Sequence, residues 1–266
     1  MFLKRRSYFE RAQKILYLPI EIHSREFHSK LYLARQASML GWTVLLGPKY
    51  DVNLLAQYLP AGAYLGIGFH RAAATIGNKL KFCGHKIVSQ DEEGLVRLAP
   101  ELYSEYRVAE QIEGVSDYLL CWGDEHKNIV ASIFPDSKKV NAVGNTRIDL
   151  LDGKSQNIFH DDVSELKKRY GNFILINGNF GSANHVSGAE YFMSELKDRG
   201  WLATPDKKRY HLDRITFQRK IFHEMMDLTI EIAKAGRMVI VRPHPSENIQ
   251  VWEDYTKDYR DHVKII

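Results

Sequence analysis

Four short stretches concentrate the residue types that do chemistry. Ser89-Gln90-Asp91-Glu92-Glu93-Gly94 sets three acids directly behind an apolar run. Adjacent carboxylates repel one another, which predicts that at least one of Asp91, Glu92 and Glu93 has a pKa raised toward a value suited to proton abstraction. The same acids also suit the first turn of a helix, whose dipole favours them. Val241-Arg242-Pro243-His244-Pro245-Ser246 holds an imidazole in a loop stiffened by two prolines. Arg242 and a protonated His244 can there neutralise a phosphate leaving group, although a histidine at a strand end also serves as a structural hydrogen-bonder. Asn177-Gly178-Asn179-Phe180-Gly181-Ser182, with His185 just beyond, combines small residues and amides that let backbone N–H groups approach a phosphate or sugar. A plain turn is the alternative, since it matches neither the P-loop nor G-x-G-x-x-G. Finally, Glu21 and Arg25 in Pro19-Ile20-Glu21-Ile22-His23-Ser24-Arg25-Glu26 can hold a polar acceptor or cap the helix that follows.

Other chemistries find little support. His223-Glu224-Met225-Met226-Asp227 resembles a zincin helix without its second histidine, so no metal is expected. Cys83 and Cys121 are the only cysteines and lack metal spacing, which suits a reducing cytoplasm. No apolar run reaches the length of a spanning helix, and no signal-peptide core opens the chain. The basic start, Met1-Phe2-Leu3-Lys4-Arg5-Arg6, is either a solvated end or a contact with the inner face of a membrane. The net charge of +4, from 37 basic and 33 acidic residues, is too small to argue for nucleic acid but suits a phosphate-rich substrate.

The elements that must position these groups alternate along the 266 residues. Buried strands are predicted at 15–20, 42–46, 63–67, 86–89, 118–122 and 139–143, with helices at 27–40, 53–58, 70–82 and 124–134 between them. After a polar linker at 152–162 the rhythm restarts. Helices are expected at 163–170, 216–235 and 248–255, strands at 173–176, 238–241 and 263–266, and at 183–210 a loop so long that it is functional or partly helical. Strands alternating with helices imply right-handed crossovers and parallel sheets, hence an α/β chain of two Rossmann-like domains, 1–150 and 151–266. The second domain reads as incomplete, because it stops at a bare apolar strand, and the natural protein is expected to continue. In such sheets ligands bind at the carboxyl ends of the strands, which is where all four stretches fall.

Taken in order, the motifs resemble a known group. Asp91-Glu92-Glu93-Gly94 is similar to the D/E-D/E-G motif, and His244-Pro245 to the HP motif, of bacterial sialyltransferases and the related capsule Kdo transferases. Leu18-Pro19-Ile20-Glu21, Arg25-Glu26-Phe27, Val143-Gly144-Asn145-Thr146-Arg147 and Asn177-Gly178-Asn179-Phe180 resemble bacterial surface carbohydrate biosynthesis proteins. The resemblance implies a metal-independent GT-B glycosyltransferase with no cofactor. It would transfer a Kdo- or sialic-acid-like sugar from a CMP-sugar to a glycan or lipid-linked acceptor, in the cytoplasm or on the inner face of the membrane. It further implies Glu92 as catalytic base, with Asp91 and Glu93 as neighbours or alternatives, and His244 on the donor phosphate, facing one another across a cleft. A UDP-sugar-dependent GT-B enzyme or 2-epimerase relative, and an inactive truncated remnant, are the competing expectations.

Overall fold

The computed structural model describes residues 14–96, 99–135, 137–152 and 156–266. The basic start at residues 1–6 lies outside them. The chain divides into two compact units, Met1–Ile158 and Phe159–Ile266.

The first unit carries a six-stranded parallel sheet of β1 (Ile15–Ile20), β2 (Thr43–Pro48), β3 (Ala63–Ile67), β4 (Lys86–Gln90), β5 (Tyr118–Cys121) and β6 (Val140–Ala142), in the order β2-β1-β3-β4-β5-β6. Helices α1 (His23–Met39), α2 (Lys49–Ala56), α3 (Arg71–Phe82), α4 (Pro100–Arg107), α5 (Gln111–Val115), α6 (Asp124–Ile133) and α7 (Thr146–Asp149) connect or follow the strands. The two-residue period of a strand explains why the sheet is apolar on both faces. Ile15 and Tyr17 of β1 join one core with Val52, Leu80, Ile87 and Val130, while Leu16 and Leu18 pack with Ala34 and Leu65 on the other. Strand order reverses between β1 and β3, which opens a crevice at their carboxyl ends.

The second unit is built on a parallel sheet β7-β8-β9, of β7 (Phe173–Asn177), β8 (Met238–Arg242) and β9 (Val263–Ile265). Its helices are α8 (His160–Tyr170), α9 (Gly188–Asp198), α10 (Pro205–Lys234) and α11 (Ile249–Tyr255). Val239 and Val241 pack with Ile176, Phe222, Met226, Trp252 and Val263 to form its core.

Three readings of the sequence are corrected by the structure, among them that Asp124 caps the helix it opens. The stretch 183–210 is no loop, because α9 and the first turns of α10 occupy most of it. Thr204 caps α10 by accepting from Lys207 N–H, and Pro205 fills the first helical position. The extra turns escape a periodicity search because, of their side chains, only His211 and Ile215 are buried before Phe222. The linker expected at 152–162 is also shorter: a 3-10 turn spans Gln156–Phe159 and α8 begins at His160. Gly123, not Asp124, occupies the N-cap position of α6.

Candidate functional site

In the first unit, the residues following β1, β3 and β4 crowd the crevice with charge. Asp91, Glu92 and Glu93 sit in turns after β4, and no helix begins there until Pro100. The helix-dipole explanation for these acids therefore does not apply, and each acid has its own partners instead. Asp91 is buried; its Oδ2 accepts from Tyr103 Oη at 2.8 Å and its Oδ1 from Glu93 N–H at 3.0 Å. Glu92 is 7% exposed, and its Oε1 lies 3.3 Å from Lys30 Nζ. Glu93 is the most open of the three and is gripped by Arg107 and, at 3.3 Å, by Arg25. Burial alone would raise its pKa, but the hydrogen bond and charge of Arg107, with those of Arg25, bring it below the usual carboxylate range. The expected repulsion-driven rise is thus reversed at Glu93, because interleaved cations cancel the repulsion.

Behind this turn lies a buried network that the sequence reading did not single out. Glu26 is fully buried and accepts from the backbone N–H groups of Glu21 and Ile22, from Arg25 at 3.0 Å and from Lys30 at 3.1 Å. It is Glu26, not Glu21 or Arg25, that accepts from the two backbone N–H groups just before α1. Burial works to raise its pKa, yet Lys30, the amides and Arg25 together lower it. Glu21 instead pairs with Lys49 at 2.7 Å. Lys30, itself buried, also donates to Pro19 O at 2.6 Å, joining β1, α1 and the acid turn.

A second chain of bonds holds Asp91. Trp122 N–H donates to His126 Nδ1 at 3.2 Å, so Nε2 carries the hydrogen and meets Tyr103 Oη at 2.7 Å, which in turn donates to Asp91. Gly94 completes the turn because nothing larger fits: a Cβ there would stand 2.5 Å from both the His126 and Trp122 rings. Arg147 Nη1 donates to Glu92 O at 2.8 Å and its guanidinium lies over Trp122. The Gly144-Asn145-Thr146-Arg147 turn is therefore a support for the acids. His70, at the N-cap of α3, accepts from Ala73 N–H, and its pKa is lowered by burial and by Lys49. With Arg71 and Arg107 it lines a pocket of about 410 Å³. Its position one residue before an amphipathic helix was the available signal.

In the second unit, the carboxyl ends of β7 and β8 are tied together by Glu247. Its Oε1 accepts from Phe180 N–H at 3.0 Å and His244 N–H at 2.8 Å, and its Oε2 from Trp252 Nε1 at 3.0 Å. His244 Nδ1 accepts from Ser246 N–H at 3.1 Å, so the ring presents Nε2–H as a donor. His244 and Asn179 both line a pocket of about 430 Å³ together with Ser182, His185 and residues of α9 and α10. Asn177, Arg242 and Pro245 are exposed and lie outside that lining. Arg242 contributes its carbonyl, which accepts from Gly178 N–H at 2.8 Å. Gly178 packs so closely under Glu247 and Pro243 that a Cβ would meet Glu247 Oε1 at 2.5 Å.

Among the described residues no group of three or more His, Cys, Asp or Glu side chains could hold a metal. No helix there is long and apolar enough to cross a membrane. Burial pushes the Cys121 thiol up to about 12, which makes it a poor nucleophile.

No protein-family model matches the chain, and no curated protein matches it. Solved structures do. The S. aureus MnaA–UDP co-structure superposes over 96% of this chain and 68% of that one, with 12% identity and a TM-score of 0.52. A candidate UDP-N-acetylglucosamine 2-epimerase from Listeria monocytogenes covers 95% and 68%, with 9% identity and a TM-score of 0.49, too low to add weight. The class this defines is an α/β protein of GT-B-like fold with parallel sheets.

Proposed function

We propose that the chain is a nucleotide-sugar enzyme of bacterial surface-carbohydrate synthesis that breaks the bond between sugar and phosphate. The observation that carries the reading is His244: its backbone is fixed by Glu247, its Nδ1 by Ser246, which leaves Nε2–H as the donor of a side chain that lines a pocket at a parallel sheet's carboxyl edge. That donor would stabilise the charge growing on the departing phosphate, a contribution of about 3 kcal/mol for a well-placed group. Glu92 would take the proton of an acceptor hydroxyl as the anomeric centre gains oxocarbenium character. All three acids are engaged, Asp91 by Tyr103, Glu92 by Lys30 and Glu93 by two arginines, and the choice of Glu92 rests on the resemblance of Asp91-Glu92-Glu93-Gly94 to the D/E-D/E-G motif.

The likeness to the MnaA–UDP co-structure supports a UDP-sugar as donor, with a 2-epimerase relative as one form of that reading. The CMP-sugar reading rests on the resemblance of Asp91-Glu92-Glu93-Gly94 and His244-Pro245 to sialyl- and Kdo-transferase motifs. Calorimetric titration with UDP and CMP separates them: selective CMP binding would return the donor to a 2-keto sugar acid. Full turnover by a Glu92→Gln variant would remove Glu92 from the role of base.

A further inference from the structure

We infer that the pocket between the α9–α10 helix pair and the loops after β7 and β8 binds a diphosphate-type polyanion, with Arg214 as the cation that meets it. This rests on the reading of His244 as a phosphate contact and deepens it, since the pocket is the one that His244 lines. The pocket's walls come from separate segments: His185 after β7, His244 after β8, Arg199 after α9 and Arg214 on α10. Both histidines present the same face. His185 Nδ1 accepts from Ser187 N–H at 3.1 Å, as His244 Nδ1 accepts from Ser246 N–H, so each ring has its hydrogen on Nε2.

Charge in the lining is unbalanced. Its one acid, Glu195, is engaged by Arg199 four residues on. Among the described residues the Arg214 side chain has no hydrogen bond or ion pair. The wall is also ordered before any ligand arrives. Arg199 lies 5.2 Å from the Trp201 ring, which stacks on His211 at 5.3 Å, and His185 stacks on Tyr191 and Phe192 at 5.5 Å. Preorganised donors lose little freedom on binding. The donors stand on separate segments around a space of about 430 Å³, wider than one compact carboxylate spans. A diphosphate offers enough oxygens, and guanidinium groups recognise phosphate in a bidentate fashion.

The test is calorimetric titration of the full chain with inorganic pyrophosphate, UDP and UMP. Wild type is expected to bind pyrophosphate, and UDP more tightly than UMP. Arg214→Ala should weaken pyrophosphate and UDP by roughly 10- to 100-fold, the loss of one charged hydrogen-bonding group. Arg209→Ala removes the same charge from the same helix, but Arg209 faces Asp206 outside the lining, so binding should stay within about twofold. Both arginines are exposed, and matching circular dichroism spectra and melting temperatures confirm that the variants fold. Wild type that ignores pyrophosphate, UDP no tighter than UMP, or Arg214→Ala indistinguishable from Arg209→Ala overturns the inference. His244→Ala separates it from the parent reading. If Arg214→Ala weakens UDP and His244→Ala does not, the pocket stands and the role of His244 fails; the reverse pattern sinks the pocket alone.

Discussion

Lys30 extends one ammonium between two carboxylates that water scarcely reaches, 3.1 Å from Glu26 Oε2 and 3.3 Å from Glu92 Oε1. Removing one partner from such a buried cluster strands the charge that remains, and usually costs about 3–5 kcal/mol. Lys30→Met should therefore destabilise the first unit by about 3 kcal/mol in denaturant unfolding. Adding Glu26→Gln should recover part of the loss, because it removes the stranded charge while its one amide oxygen still accepts from one of the Glu21 and Ile22 N–H groups, which sit on different carboxylate oxygens. A single variant as stable as wild type would show that Lys30 does not hold these acids.

Tyr103 is the middle member of the chain from His126 to Asp91, and Tyr103→Phe deletes only its oxygen. The ring still fills its site, so packing is kept while Asp91 Oδ2 and His126 Nε2 both lose a partner. A loss of about 1–3 kcal/mol is expected, the usual cost of unsatisfied buried groups. If Glu92 depends on a rigid turn, turnover should fall along with it. A Tyr103→Phe protein with unchanged stability would mean that this chain of bonds does not order the turn.

Stability should fall on acidification in two stages, and the signs can be worked group by group. Burial lowers the pKa of His126 from its ordinary 6.5, so below pH 6.5 the unfolded chain takes up a proton that the folded one refuses. Stability from this residue is thus complete above pH 6.5 and declines below it. For Glu26 and Glu93, burial raises the pKa but is outweighed, by Lys30 and the amides in one case and by Arg107 and Arg25 in the other. Their stabilisation is complete above the ordinary 4.5 and is lost as pH falls through the lower folded values. Melting temperatures across pH 3 to 8 should show a shallow decline from about 6.5 and a steeper one below about 4.5. Arg107→Met should blunt the steeper step, Glu93 contributing less than Glu26 because it is partly exposed.

Much of this architecture is legible in the chain. Ile15–Ile20 and Ala63–Ile67 read as strands because buried parallel strands are apolar on both faces, and helices end at Gly41 and Gly236, whose φ angles are 81° and 71°. The acid turn and the His244 loop are visible because they stand at strand ends. What binds those groups is harder to read. Glu26, Lys30, His126 and Glu247 look like ordinary surface residues in sequence, and their importance comes from burial that only the tertiary fold creates. The first turns of α10 are hidden for a different reason: its start is marked by Thr204 and Pro205, not by an apolar period.

Glu247 gives the sharpest test in the second unit. It is 2% exposed, and its two oxygens accept three N–H groups from three places: Phe180 after β7, His244 after β8 and Trp252 in α11. A carboxylate can accept from all three at once. An amide cannot, because one of its two ends becomes a donor facing another donor. Glu247→Gln should therefore free either the Trp252 indole or both loop amides. The expected loss is about 2–3 kcal/mol of stability, in line with hydrogen bonds to a charged group. Because the loops carrying Asn179 and His244 are joined through this residue, nucleotide binding should weaken as well, by roughly tenfold if misplacing His244 removes about 1.4 kcal/mol. Thermal melts and UDP titration of the same preparation check both. If stability drops but UDP affinity stays at the wild-type value, Glu247 braces the core without orienting His244, and the case for His244 as the phosphate donor weakens with it.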